Sequence, residues 1–333
     1  MKTIITAATV LAIASSQAQE SASRTKFVEA CAKAAKQELP DGFTGVKGHD
    51  PEWYFFYKEL AHLGTGAYWA NGFKDSVTKT DPGGPILEYS AELQKLGVQL
   101  LLVPVPSKAN IYADKFAAEG EPFPMTAYLD QLSKGGANTL DLERIFKAER
   151  KKNPDKLLYC KTDSHFSPYA TQLIADAIYQ RYKDTDWAKS IKSDIKFVTG
   201  EEKEITIKGD LTPNASEKLP AVEVTDSEGN QVEPDNADSP IVLLGDSHTA
   251  VFSSGGELHT TSSGVADHLQ AKFGAKIDRV SNNGSGTHQA RVQLLRKAHG
   301  TPGYWDKKKL VIWLFTEREL TQAPKWIKIP PKP

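Results

Sequence analysis

Ser247 stands in Gly245-Asp246-Ser247, directly after the apolar run Ile241-Val242-Leu243-Leu244. A buried strand that runs into such a turn places the serine hydroxyl at the carboxyl edge of a sheet, where open α/β folds bind ligands. Position 249 is Thr, so the turn is not a Gly-x-Ser-x-Gly elbow. A helix beginning over Thr249 to Phe252 would aim its first amides at the hydroxyl and at an oxyanion beside it. A serine hydroxyl is a weak nucleophile, so chemistry here needs a base and a group to orient that base. Asp163-Ser164-His165-Phe166-Ser167-Pro168 offers both. An Asp two residues before a His can hold the imidazole by its Nδ1 proton and leave Nε2 for the serine. Ser167 as N-cap and Pro168 at the first helical position start a helix and so fix the loop. Taken singly, each motif has a plainer reading as a cap or a turn. Together they supply a nucleophile, a base and its orienter.

A third block, Val280-Ser281-Asn282-Asn283-Gly284-Ser285-Gly286-Thr287, also follows an apolar strand and precedes a helix. Gly284 and Gly286 would let backbone approach a reacting centre, although Asn and Gly also serve ordinary turns. Arg318, in Phe315-Thr316-Glu317-Arg318, offers a guanidinium that can donate to an oxyanion or bind a substrate carboxylate. It can equally pair with Glu317 or another acid. Asn283, Lys108 and Tyr112 are candidate substrate contacts, whereas Trp53 and Trp69 read better as core aromatics than as sugar platforms. Asp-x-His followed by Gly-Asp also occurs in binuclear metallophosphatases, and His248, His259 and His288 can ligate. Those enzymes need a Gly-Asn-His-Asp/Glu segment, which is not present, so neither metal nor cofactor is expected.

The elements that must position these groups alternate. Strands are expected at Val98–Val105, Ile241–Leu244, Lys276–Val280 and Leu310–Phe315, with a short one at Lys156–Cys160. Helices are expected at Phe27–Lys36, Leu140–Arg150, Tyr169–Tyr182, Val265–Phe273 and Gln289–Ala298. Strands alternating with helices predict a three-layer α/β/α domain on a parallel sheet, of flavodoxin-like type. Between about 184 and 239 the composition turns polar, and the alternation in Glu204–Lys208 and Ala221–Val224 predicts a small β insertion. The Pro/Lys-rich tail, 326–333, is expected to fray.

Residues 1–18 have the layout of a secretory leader: Lys2, the apolar run Ile4–Ala14, then small residues ending at Ala18. The apolar run is about half the ~20 residues that span a bilayer, so residues 19–333 are expected as one domain in the periplasm or outside the cell. Charges nearly cancel, 41 basic against 42 acidic, which excludes a global pull toward nucleic acid. The two cysteines, Cys31 and Cys160, form an even pair that can bridge in an oxidising compartment; two buried thiols are the alternative.

The three blocks resemble those of SGNH hydrolases, with one inversion. The Asp-His block here precedes the Gly-Asp-Ser block, as Asp-x-His rather than Asp-x-x-His. That permuted order resembles the SGNH-like domain of the alginate O-acetyltransferases. So do Trp53-Tyr54-Phe55-Phe56, Val103-Pro104-Val105-Pro106-Ser107-Lys108, Lys208-Gly209-Asp210-Leu211 and Trp313-Leu314-Phe315-Thr316-Glu317-Arg318. The resemblance implies Ser247 as nucleophile, His165 as base, Asp163 as orienter, and Ser247 and Gly284 as oxyanion donors. It further implies transfer of acetyl through an acetyl-serine onto an extracytoplasmic, uronate-type polysaccharide. The acetyl donor would be delivered by a membrane O-acyltransferase. A carbohydrate acetylesterase, using the same groups with water as acceptor, is the alternative.

Overall fold

The computed structural model describes residues 7–332, with backbone alone for 7–18. Residues 1–6 of the expected leader lie outside the described residues, and 7–18 form the start of a helix, Ala7–Ala34. Among the described residues no helix is long and apolar enough to cross a membrane.

Four strands form one parallel sheet, in the spatial order Gln99–Val105, Leu310–Thr316, Ile241–Gly245, Asp278–Ser281. The three longer strands are apolar at nearly every position because both of their faces are covered. Side chains alternate with a period of two. Leu101, Val103, Leu243, Ile312 and Leu314 point into one hydrophobic cluster, and Leu100, Leu102, Val242, Leu244, Val311 and Trp313 into the other. The first cluster is closed by helices Leu142–Lys152, Pro168–Tyr182 and Val265–Phe273, the second by Gly83–Lys95, Thr126–Lys134 and Gln289–Gly300. This is the expected three-layer α/β/α arrangement on a parallel sheet.

The polar segment folds onto the domain as an antiparallel hairpin, Val198–Lys208 with Ser216–Thr225. Ile207, Leu219 and Ala221 anchor its inner face while most of the first strand is exposed.

Two local expectations need correction, and of the two readings of the cysteines the structure takes the thiol one. Lys156–Cys160 makes only a single bridge, Tyr159 to Phe166, because the chain turns back at once to present Asp163 and His165. The tail is not frayed through 332. Trp326 and Ile329 are buried, the Trp326 indole donates to Glu319 O (3.0 Å), and the Trp305 indole donates to Pro331 O (3.1 Å). The Pro/Lys composition signalled freedom, but two tryptophans tie the segment down. Cys31 and Cys160 sit in the same core cluster as free thiols, each raised by burial. Reductant is therefore expected to leave the melting temperature unchanged, where loss of a disulfide would cost about 2–5 kcal/mol. A thiol count on the unfolded protein, made without reduction, should find both cysteines free.

Candidate active site

The carboxyl ends of the sheet strands converge on Ser247. Gly245 is the last residue of its strand, and a Cβ there would meet Leu314 O at 1.7 Å, so only glycine lets the two strands run this close at the turn. A single 3₁₀ turn, Ser247–Thr249, follows in place of the expected longer helix. Asp246 is fully buried. It anchors the turn by accepting from His248 N (3.0 Å) and Thr316 N (2.8 Å). Ser247, by contrast, is half-buried.

His165 meets Ser247 from the loop before Pro168–Tyr182. Its Nε2 lies 2.7 Å from Ser247 Oγ, and its Nδ1 lies 2.7 Å from Asp163 Oδ1. A carboxylate only accepts, so Nδ1 carries the ring proton and Nε2 is left to accept from the serine hydroxyl. The helix starts as its sequence predicts: Ser167 Oγ accepts from Ala170 N (3.2 Å) behind Pro168. Asp163 is buried and further held by His165 N (2.9 Å, to Oδ1) and Asp210 N (3.1 Å, to Oδ2).

Asp210 belongs to the loop of the β hairpin, which therefore shapes the site. Its carboxylate accepts from Ser164 N (2.6 Å) and Ser164 Oγ (2.7 Å). Gly209 permits the approach, since a Cβ there would meet Thr162 O at 2.1 Å. Glu217, on the returning strand, accepts from Lys161 N (3.0 Å) and Thr162 N (2.9 Å). Together these contacts pin both ends of the Asp163–His165 loop.

Burial disfavours charge on both members of the pair, but their mutual attraction outweighs it. Asp163 is held well below the ordinary carboxylate range by His165 and His259, and His165 is raised by Asp163. His248 packs its ring 4.7 Å from that of His165. Burial lowers its pKa despite Asp246, and that keeps a second positive charge away from His165.

Beyond Ser281, the third block curls over the same edge. The amide of Ser285 donates to Asn282 O (3.1 Å), and those of Gly286 and Thr287 donate to Glu319 (2.8 and 2.9 Å). The amides of Gly284 and Ser247 are bonded to no described residue. Gly286 makes the close approach, 2.8 Å from a would-be Cβ to Asp246 N, whereas Gly284 has φ +77° and open space around it. Glu319 was missed in the sequence, because nothing in its spacing links it to a block over thirty positions upstream. It also accepts from the Thr287 hydroxyl, and burial pushes its carboxyl up to about 7.

Three sequence candidates bond to partners within the protein. Lys108 is fully buried and donates to Tyr54 O (2.8 Å) and Asp163 O (2.6 Å), so it braces the backbone of Asp163. Tyr112 is buried against Trp53 and accepts from Leu158 N (2.9 Å). Arg318 pairs with Glu59 (3.3 Å) rather than Glu317 and stacks on Phe56, while its charge still helps to lower Asp246 and His248 on either side of Ser247. Side-chain length hid all three outcomes, since each reaches a partner remote in sequence.

His165, Ser247 and Asn283 line an open trench of about 1040 Å³. Its walls are Ile205–Asp210 of the hairpin and Gly256–Thr260; Lys208 is its one lining lysine or arginine among the described residues. Asp163, His165 and His259 bring ligand-type atoms within 4.8 Å of one another, but hydrogen bonds already engage the first two.

This geometry has relatives. Residues 84–317 match the family of the "SGNH hydrolase-like domain, acetyltransferase AlgX". The chain belongs to that family. The matched span contains all four strands of the parallel sheet and Asp163, His165, Ser247 and Gly284. Similar to this AlgX-family chain is "Probable alginate O-acetylase AlgJ" of Pseudomonas aeruginosa, 24% identical over 274 residues, covering 75% of this chain and 68% of that protein. The O-acetyltransferase domain of Pseudomonas putida AlgJ superposes with a TM-score of 0.59 at 20% identity, covering 84% of this chain and 92% of the other. Pseudomonas aeruginosa AlgX superposes with a TM-score of 0.57 at 17% identity, covering 88% and 67%. Membership in an acetyltransferase family of this fold stands against the metallophosphatase alternative.

Proposed function

We propose that this AlgX-family protein transfers acetyl groups onto hydroxyls of a uronate-type polysaccharide outside the cytoplasm, in the periplasm or beyond, through an acetyl-serine on Ser247. The observation that carries the reading is the unbroken relay Asp163 Oδ1–His165 Nδ1 and His165 Nε2–Ser247 Oγ at 2.7 Å each. His165 takes the Ser247 proton as Oγ bonds to the acetyl carbon, and returns it to the departing donor oxygen. A sugar hydroxyl then gives its proton to His165 and attacks the acetyl-serine, which frees Oγ to regain that proton. The unbonded amides of Ser247 and Gly284 are assigned to the oxyanion, each such donor being worth about 3 kcal/mol in related chemistry. A membrane O-acyltransferase is the proposed supplier of acetyl.

The trench is open, so water and acceptor compete for one intermediate, and bound position decides between them. The test follows acetyl by mass, using a chromogenic acetyl ester with and without an oligouronate. Acetylated oligouronate is the expected product; release of acetate alone, at every acceptor concentration, would make the protein an esterase. Lys208 is the groove cation placed to read a uronate carboxylate. Lys208→Ala is expected to raise the KM for oligouronate roughly tenfold, about the size of one charge-assisted hydrogen bond. Hydrolysis of the small ester should be unchanged, and equal KM values would remove Lys208 from acceptor binding.

A further inference from the structure

We propose that His259 is a positioning residue of the Ser247 site, a second imidazole that steadies the Asp163 carboxylate through the oxygen His165 does not use. The inference rests on the acetyl-serine reading above and deepens it.

Asp163 Oδ1 faces His165, so rotation about its Cβ–Cγ bond would spoil the alignment of the relay. What holds Oδ2 therefore matters. Asp210 N donates to it at 3.1 Å, and His259 Nε2 stands 3.2 Å away. The His259 side chain is 5% exposed and its Nε2 makes no well-directed hydrogen bond, so this carboxylate is the polar group it faces. The other face of the ring lies against Phe252, centroids 5.3 Å apart.

The loop that delivers His259 is strained. Phe252, His259 and Ser262 all have φ between 60° and 74°, three of the six non-glycine residues with positive φ among the described residues. Such conformations persist only where surrounding contacts over-determine them, and they cluster at functional sites. Here Phe252 N donates to Leu258 O (2.9 Å), Ser263 N donates to Phe252 O (2.7 Å), and Ser254 bridges Thr261. The loop leaves directly from the Ser247 turn and also walls the trench. One strained segment thus joins the nucleophile's turn, the proposed acceptor groove and the orienting acid.

The test is a double-mutant cycle on hydrolysis of the chromogenic acetyl ester. His259→Ala is expected to lower kcat roughly tenfold with KM unchanged, as for an interaction that counts mainly in the transition state. His259→Gln should recover part of the loss, because its amide can donate toward Oδ2. In an Asp163→Asn background, His259→Ala should cost less than about twofold more, the signature of a residue acting through Asp163. Losses that multiply, or an unchanged kcat in His259→Ala, would overturn the proposal. Equal losses in the Ala and Gln variants with a fall in melting temperature would reduce His259 to a fold residue. Full activity in Asp163→Asn alone would instead remove the reading on which the proposal stands.

Discussion

Ser247→Ala lowers turnover of a chromogenic acetyl ester by about 10⁴- to 10⁶-fold, the loss expected when a nucleophile acts as a unit with its base. His165→Ala should fall by a similar factor, and the double variant little further, because one relay is removed in each case. The substitution deletes a hydroxyl on a half-buried turn whose fold is held by Asp246 and the backbone of Thr316, so melting temperature should hardly move. Mass spectrometry of the wild type with ester and no acceptor should show one added acetyl on the peptide containing Ser247. Activity that survives in Ser247→Ala and vanishes with a chelator would end the serine assignment and restore metal chemistry.

Asp163→Asn should cost about 10⁴-fold in kcat, the loss seen where such a change sets the wrong tautomer of the base. The pH profile supplies an independent reading. In the wild type, burial works to lower His165, yet Asp163 raises it above its ordinary 6.5. The base must be neutral to take the serine proton, so activity should rise with pH through a midpoint above 6.5. In Asp163→Asn the charge that supports the imidazolium is gone while burial remains, so the midpoint should move downward. Stability follows the linkage of each group. The stabilisation from His165 is complete below its unfolded value and is lost as pH rises through the raised folded one. That from Asp163 is present above its unfolded value and is lost only as pH falls through a depressed folded one. A profile that does not move between wild type and variant would show that Asp163 leaves the base untouched.

Local residue order determined much of this protein. The near-continuous apolar runs at 99–105, 241–245 and 310–316 mark strands covered on both faces, and Ser167-Pro168 marks a helix start. Both signals are short-ranged, because they follow from side-chain direction along one element. The three site blocks were legible for the same reason: each is a turn at a strand end or a helix start, and one parallel sheet gathers such ends at one edge. Only the tertiary structure decided what long side chains and loops do on arrival. Lys108 turned from a substrate candidate into a buried brace, Arg318 went to Glu59, Glu319 took the amides of Gly286 and Thr287, and His259 came to rest on Asp163. Cys31 and Cys160 share a core and stay thiols. These outcomes depend on distances between segments far apart in the chain, and residue spacing carries no measure of those until packing has set them.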